Sequence, residues 1–144
     1  MKILVIRNAF DHDFGGAERL AVNIANELNV NKLTTVVVSR QPRLLEYAKS
    51  QGVEYRRGWW WGKQNWSGLS LLLFPAYLVW QAILTVWYLQ LIRKLDADAL
   101  HIMSKDDFIA ATLAAKLLGR PVVWGDCADL KYIFLNNQTW YKNP

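Results

Sequence analysis

The chain has 144 residues, of which 53% are apolar and 20% charged, and a formal net charge of +5. That is enough apolar content for one domain with a buried core, and it excludes an intrinsically disordered chain. The single cysteine, Cys127, excludes an internal disulfide and a cysteine zinc centre, as expected in a reducing compartment, while the basic balance favours anionic partners without separating phosphate-bearing ligands, anionic lipid and nucleic acid.

Residues 2–7 form an apolar run that reads as a strand. The run is too short for a secretory signal, and the polar Asn8, Asp11, His12 and Asp13 follow at once. Phe14-Gly15-Gly16-Ala17-Glu18 then leads into a helix whose stripe is Ala17, Leu20, Ala21, Ile24, Ala25 and Leu28. A strand, a paired-glycine turn and a helix open a doubly wound α/β fold, in which the first turn stands beside the ligand. Such glycines adopt backbone angles closed to other residues and admit a ligand closely, and the helix start behind them suits an anion such as phosphate. A plain tight turn explains the same residues.

Residues 33–38 are β-branched and nearly continuous, the pattern of a strand buried on both faces. Pro42 opens a short helix that closes at Gly52, and residues 53–57 read as a third strand. A loop over 58–68 follows, with Trp59, Trp60, Trp61 and Trp66 beside Arg56, Arg57 and Lys63. That is the composition of an interfacial membrane anchor, and equally of a loop folding its tryptophans onto the core.

Residues 64–92 contain no charge, and 69–91 are long enough to span a bilayer. Three features argue for a core-packing helix with a membrane-facing or ligand-facing side instead. Pro75 interrupts the start; Gln81, Thr85 and Gln90 recur at the spacing of one polar face; and strands on both sides must share one sheet. Residues 97–103 read as the fourth strand. Ser104 and Asp107 have capping-box spacing, and the next helix carries Ile109, Ala110, Leu113, Ala114 and Leu117 on one face before Gly119. Residues 121–124 are the fifth strand, and 131–144 show no clear further strand, which makes the chain look incomplete.

The alternation predicts one Rossmann-like domain over 1–144, a doubly wound parallel sheet with helices on both faces. Ligands collect beyond the carboxyl ends of such strands. The loops there bring Asp11, His12, Asp13, Gly15 and Gly16, then the tryptophan cluster, then Ser104, Lys105, Asp106 and Asp107, then Asp126 and Asp129. Asp126 and Asp129 are the general-base candidates, with loop capping as the plain alternative. Glu18, Asp106 and Asp107 also suit the first turns of their helices, and His101 suits a hydrogen-bonded position within a strand. Asp11, His12 and Asp13 are adjacent and cannot all face one ion, so no metal site is expected.

Gly15-Gly16-Ala17-Glu18-Arg19 resembles the Gly-Gly-x-Glu turn of GT-B glycosyltransferases of the family 4 group. Asp98-Ala99-Leu100-His101 with its polar loop and alanine-rich helix is similar to that family's fourth strand, and Leu118-Gly119-Arg120-Pro121-Val122-Val123 to its fifth. The resemblance implies the N-terminal, acceptor-side domain of a retaining transferase, with a nucleotide sugar as co-substrate, no resident cofactor and no nucleic-acid partner. The missing C-terminal domain would hold the donor, whose diphosphate would face Gly15, Gly16, Ala17 and Glu18 across the cleft. His12, His101, Lys105 and Asp106 would serve a glycan or lipid-linked acceptor. The protein would be cytoplasmic, in peripheral contact with the inner face of the cell membrane. Many family members have a second histidine where this chain has Met103, so that role does not carry over. The alternative reading is a Rossmann-like module that binds a phosphorylated ligand or a catalytic partner subunit and has no activity of its own.

Overall fold

In the computed structural model, residues 1–8, 14–59 and 74–125 are described. Five strands alternate with four helices: β1 (Lys2–Ile6), α1 (Gly16–Val30), β2 (Thr34–Ser39), α2 (Pro42–Ser50), β3 (Glu54–Arg57), α3 (Phe74–Leu95), β4 (Ala99–Ile102), α4 (Lys105–Leu117) and β5 (Val122–Trp124). The strands form one sheet in the order β3-β2-β1-β4-β5, and every pair is parallel. This is the expected α/β doubly wound architecture.

Successive strand residues serve opposite faces. Leu4, Ile6, Val36, Val38, Leu100 and Ile102 pack with α3 and α4, whereas Val5, Val37 and Met103 pack with α1 and α2. Central strands buried on both sides must be apolar at nearly every position, which is why β1 and β2 read as continuous runs.

Each helix ends in a residue with positive φ: Lys32, Gly52, Asp96 and Gly119. In each case the following N–H reaches back five residues, from Leu33 to Leu28 O, Val53 to Ala48 O, Ala97 to Ile92 O, and Arg120 to Ala115 O, at 2.9–3.0 Å. These are Schellman closures, and they turn the chain directly into the next strand. Two carry the expected glycine. Lys32 and Asp96 adopt the same backbone without one, so their positions held no stop signal in the sequence.

The packing corrects four expectations. The inward face of α1 is Glu18, Ala21, Val22 and Ala25, with Leu20 exposed. The inward face of α4 is Ala110, Ala111, Ala114 and Ala115, and Ile109, Leu113 and Leu117 point outward. Small residues face inward there because α4 packs closely on both the sheet and α3. In α3, Gln81 is buried and Gln90 exposed, so they do not share a polar face; Thr85 returns its hydroxyl to Gln81 O at 2.8 Å. Pro75 lies inside the first turn of α3 rather than interrupting it, because proline lacks only an N–H that a first turn leaves unpaired anyway. α3 passes the length and hydropathy test for a membrane span. It nevertheless joins β3 to β4 of a single sheet, and a span would separate these strands.

Candidate functional site

The strand order reverses between β1 and β4: one connection from β1 runs outward through β2 and β3, and the chain then returns to β1's other side. At that reversal the carboxyl ends of the strands leave a crevice, the usual ligand position of a doubly wound sheet. α1 and α4 start on its two sides.

The first side is built around Glu18. Its Oε1 accepts from Arg7 Nη2 at 2.7 Å and from Arg7 Nε at 3.1 Å, and its Oε2 accepts from the Gly15 N–H at 2.9 Å. The third guanidinium nitrogen of Arg7 donates to Met103 O at 2.7 Å. One arginine therefore ties the end of β1 to the start of α1 and the end of β4. Burial on its own would raise the Glu18 pKa, but the hydrogen bonds and charge of Arg7, with the Gly15 N–H, outweigh it and leave the carboxyl below its ordinary 4.5. Glu18 is an internal anchor of the turn.

The paired glycines are not required by backbone angle. Gly15 has φ −126° and ψ −156°, which is extended backbone, and neither glycine has positive φ. A Cβ on Gly16 would meet nothing within 4 Å, and one on Gly15 would only touch Glu18 Oε2 at 3.5 Å. What the glycines do is leave the start of α1 bare, where first-turn N–H groups lack helical acceptors. Phe14 closes the outer side, edge-on to Tyr47 at 5.5 Å with the Arg19 guanidinium 5.5 Å above its ring.

On the second side, Ser104 is the N-cap of α4, but its hydroxyl accepts the Asn8 N–H rather than capping the helix. Asp107 is buried and accepts from the Tyr88 hydroxyl at 2.8 Å. The expected capping box is therefore not formed: each of its side chains is used to bind a neighbouring element. Lys105 and Asp106 start α4, half-buried, at the crevice.

His101 lies within β4, between Val5 and Val123 in register, and burial lowers its pKa so that the imidazole is neutral at pH 7. A Cβ on Gly125 would fall 2.5 Å from its Nε2, so a side chain there would push this ring aside. Asp98 sits at the opposite end of β4, where it accepts the Lys2 N–H at 2.7 Å and pairs with Arg120 at 3.4 Å. It is a structural residue, far from the crevice.

The structure thus places Gly15, Gly16, Ala17 and Glu18 after β1, and Lys105 and Asp106 after β4, at the carboxyl ends of two neighbouring strands. It keeps Arg56, Arg57 and Trp59 apart from them, at β3, two strands from β1 or roughly 10 Å across the sheet. Trp59 packs edge-on to Trp80 of α3 at 5.6 Å. His12, Trp60, Trp61, Trp66, Asp126 and Asp129 lie outside the described residues. Sequence reasoning passed over Arg7 and Asn8, although a charge that ends an apolar first strand is a signal for the crevice. Among the described residues no three His, Cys, Asp or Glu side chains gather as metal ligands. A groove of about 530 Å³ between Thr112, Lys116, Arg120 and Trp124 follows the β5 edge, away from the crevice.

No family model and no curated protein matches this sequence. Solved structures match in fold. A glycosyltransferase from Rickettsia africae aligns with a TM-score of 0.61 at 16% identity, over 94% of this chain and 34% of its own. The lipopolysaccharide outer core galactosyltransferase WaaB, in apo form, aligns at 0.62 and 16%, over 92% and 35%. The UDP-GlcNAc 2-epimerase from Neisseria meningitidis, bound to UDP-GlcNAc, aligns at 0.55 and 14%, over 99% and 37%. The fold is that of a GT-B domain. The chain spans about a third of the length of the structures it matches.

Proposed function

We propose that this chain is the acceptor-side half of a glycosyltransferase of the retaining, family 4 type, moving a sugar from a nucleotide-sugar donor to a glycan or lipid-linked acceptor. One observation carries the reading: an unblocked helix start behind Gly15-Gly16 at the switch point of a sheet whose fold is shared with glycosyltransferases. The bare turn of Gly15, Gly16 and Ala17 would face the donor diphosphate across a cleft closed by a second domain, with Arg7 and Glu18 holding it in place. Lys105, Asp106, His101 and His12 would line the acceptor side, and Asp126 and Asp129 are the general-base candidates. The nucleotide sugar is a co-substrate, and the reaction as proposed uses no resident cofactor or metal. The protein would work in the cytoplasm, peripheral to the inner face of the membrane, with the tryptophan-rich loop as one contact.

The second reading is a module that binds a phosphorylated ligand or a catalytic subunit without turnover. Its ligand-binding part draws support from the fold likeness to an epimerase bound to a nucleotide sugar. The two readings part in a transfer assay with UDP- and GDP-sugars. The 144 residues alone should give no turnover, and addition of a donor-binding domain should restore it. Turnover by these residues alone would overturn the half-enzyme reading. In the complete enzyme Gly16→Val should lower turnover by about tenfold or more, because its side chain enters open space and perturbs only the approach to α1. Unchanged turnover would leave the glycine pair a plain turn.

A further inference from the structure

α3 carries large apolar residues on its solvent-facing side as well as on its buried side. Its buried side carries Gln81 and the Tyr88 hydroxyl along with Leu84 and Ile92. Among the described residues the Gln81 Oε1 has no hydrogen-bond partner. Its outer side carries Leu78, Val79, Ile83 and Val86, which are 53%, 61%, 46% and 54% exposed. At 100° per residue Val79, Ile83 and Val86 lie on the arc opposite Leu84, Tyr88 and Ile92, and with Leu78 at their edge they make an apolar strip about 12 Å long. A helix crossing between two strands needs an apolar inner face, and nothing in the fold requires an apolar outer one.

The groups at the ends of the strip identify what covers it. Trp59 lies exposed at the amino end, against Trp80 and next to the exposed Arg56 and Arg57. Exposed Arg93 and Lys94 stand at the carboxyl end, with no ion-pair partner among the described residues. An apolar strip with an aromatic anchor at one end and basic groups at both ends is complementary to a lipid surface with anionic headgroups. A protein partner would have to match the same strip with acidic groups at two separated places.

We infer that the outer face of α3 rests on an anionic membrane surface with the helix axis in the plane of that surface. The inference deepens the peripheral-membrane part of the proposed function and rests on it. It also adds an orientation. α3 runs from the carboxyl end of β3 to the amino end of β4, so its amino end and Trp59 stand on the same side of the sheet as the crevice. A helix lying flat would open the crevice along the membrane surface, within reach of an acceptor carried on a lipid.

The test is co-sedimentation of the full chain with phosphatidylcholine vesicles, with and without phosphatidylglycerol. The wild type should sediment with the anionic vesicles. Val79→Glu/Ile83→Glu/Val86→Glu should lower the bound fraction by about tenfold or more while circular dichroism and melting temperature stay unchanged, since all three side chains point away from the core. Arg93→Gln/Lys94→Gln should weaken the preference for phosphatidylglycerol and leave the fold intact. Failure of the wild type to bind, or equal binding by the triple variant, would overturn the inference. So would a dimer, seen by sedimentation velocity without lipid, that the triple variant abolishes, since a second copy would then cover the strip. Vesicle binding needs no sugar donor, so this result and the transfer assay fail independently.

Discussion

At the mouth of the crevice Glu18 sits with one oxygen on Arg7 and the other on the Gly15 N–H. Its position at the third residue of α1 suits three roles equally: dipole complement, capping residue or ligand contact. The deciding fact is the position of Arg7, eleven residues earlier in the chain and beside it in space. Glu18→Gln should cost about 1–3 kcal/mol at pH 7, read by urea unfolding, because it leaves the guanidinium without its counter-charge. The folded pKa of Glu18 lies below 4.5, so its stabilisation is complete above that value and is lost as pH falls through the folded value. The wild type should therefore lose its advantage over Glu18→Gln on acidification below about pH 4.5. A stability difference that stays constant with pH would contradict the ion-pair account.

At the scale of elements, helix existence was legible and helix rotation was not. Both α3 and α4 expose large aliphatic residues that sequence periodicity would turn inward. Periodicity identifies a stripe, but the inward arc is chosen by what the facing surface can accept. For α4 that surface accepts alanines. For α3 it accepts Tyr88, whose hydroxyl reaches the buried Asp107 on α4. Tyr88→Phe should cost about 1–3 kcal/mol in thermal or urea unfolding, since it takes a donor from a buried carboxylate. Burial first, and then the charge of Asp107, hold the Tyr88 pKa well above 10.0, so its contribution persists through neutral pH and is lost as pH rises toward the folded value. Above about pH 10 the wild type should lose stability more steeply than Tyr88→Phe, and parallel profiles would count against the buried pair.

At the scale of the whole molecule, the sheet sets a gradient of stability from centre to edge. β1 has hydrogen-bonded strands on both sides and apolar packing on both faces. β5 is the last strand in order, and Val123 and Trp124 are exposed. Native-state hydrogen exchange should find the amides of Leu4, Val5, Ile6 and Val37 the slowest, and those of Val123 and Trp124 faster by about a hundredfold or more. Equal protection at β1 and β5 would mean that the β5 edge is covered. The same strand order places the crevice between β1 and β4, so the glycine turn and the start of α4 follow neighbouring strands, whereas Trp59 follows β3, two strands away.

The sequence alone determined the element order, the parallel sheet and the position of the glycine turn. Those features follow from local composition: β-branched runs buried on both sides, proline and glycine at helix ends, and the strand–helix alternation. Tertiary structure decided the rest. Which arc of α3 and α4 faces inward depends on the shape of the surface opposite. Glu18 and Asp107 became internal anchors because Arg7 and Tyr88 arrive from elsewhere in the chain. Gly15 and Gly16 turned out to need neither special backbone angles nor close packing, and what distinguishes them is the open approach to α1 that they leave. Each of these outcomes depends on which residues distant in sequence lie nearby or leave space, and periodicity along the chain carries no information about that.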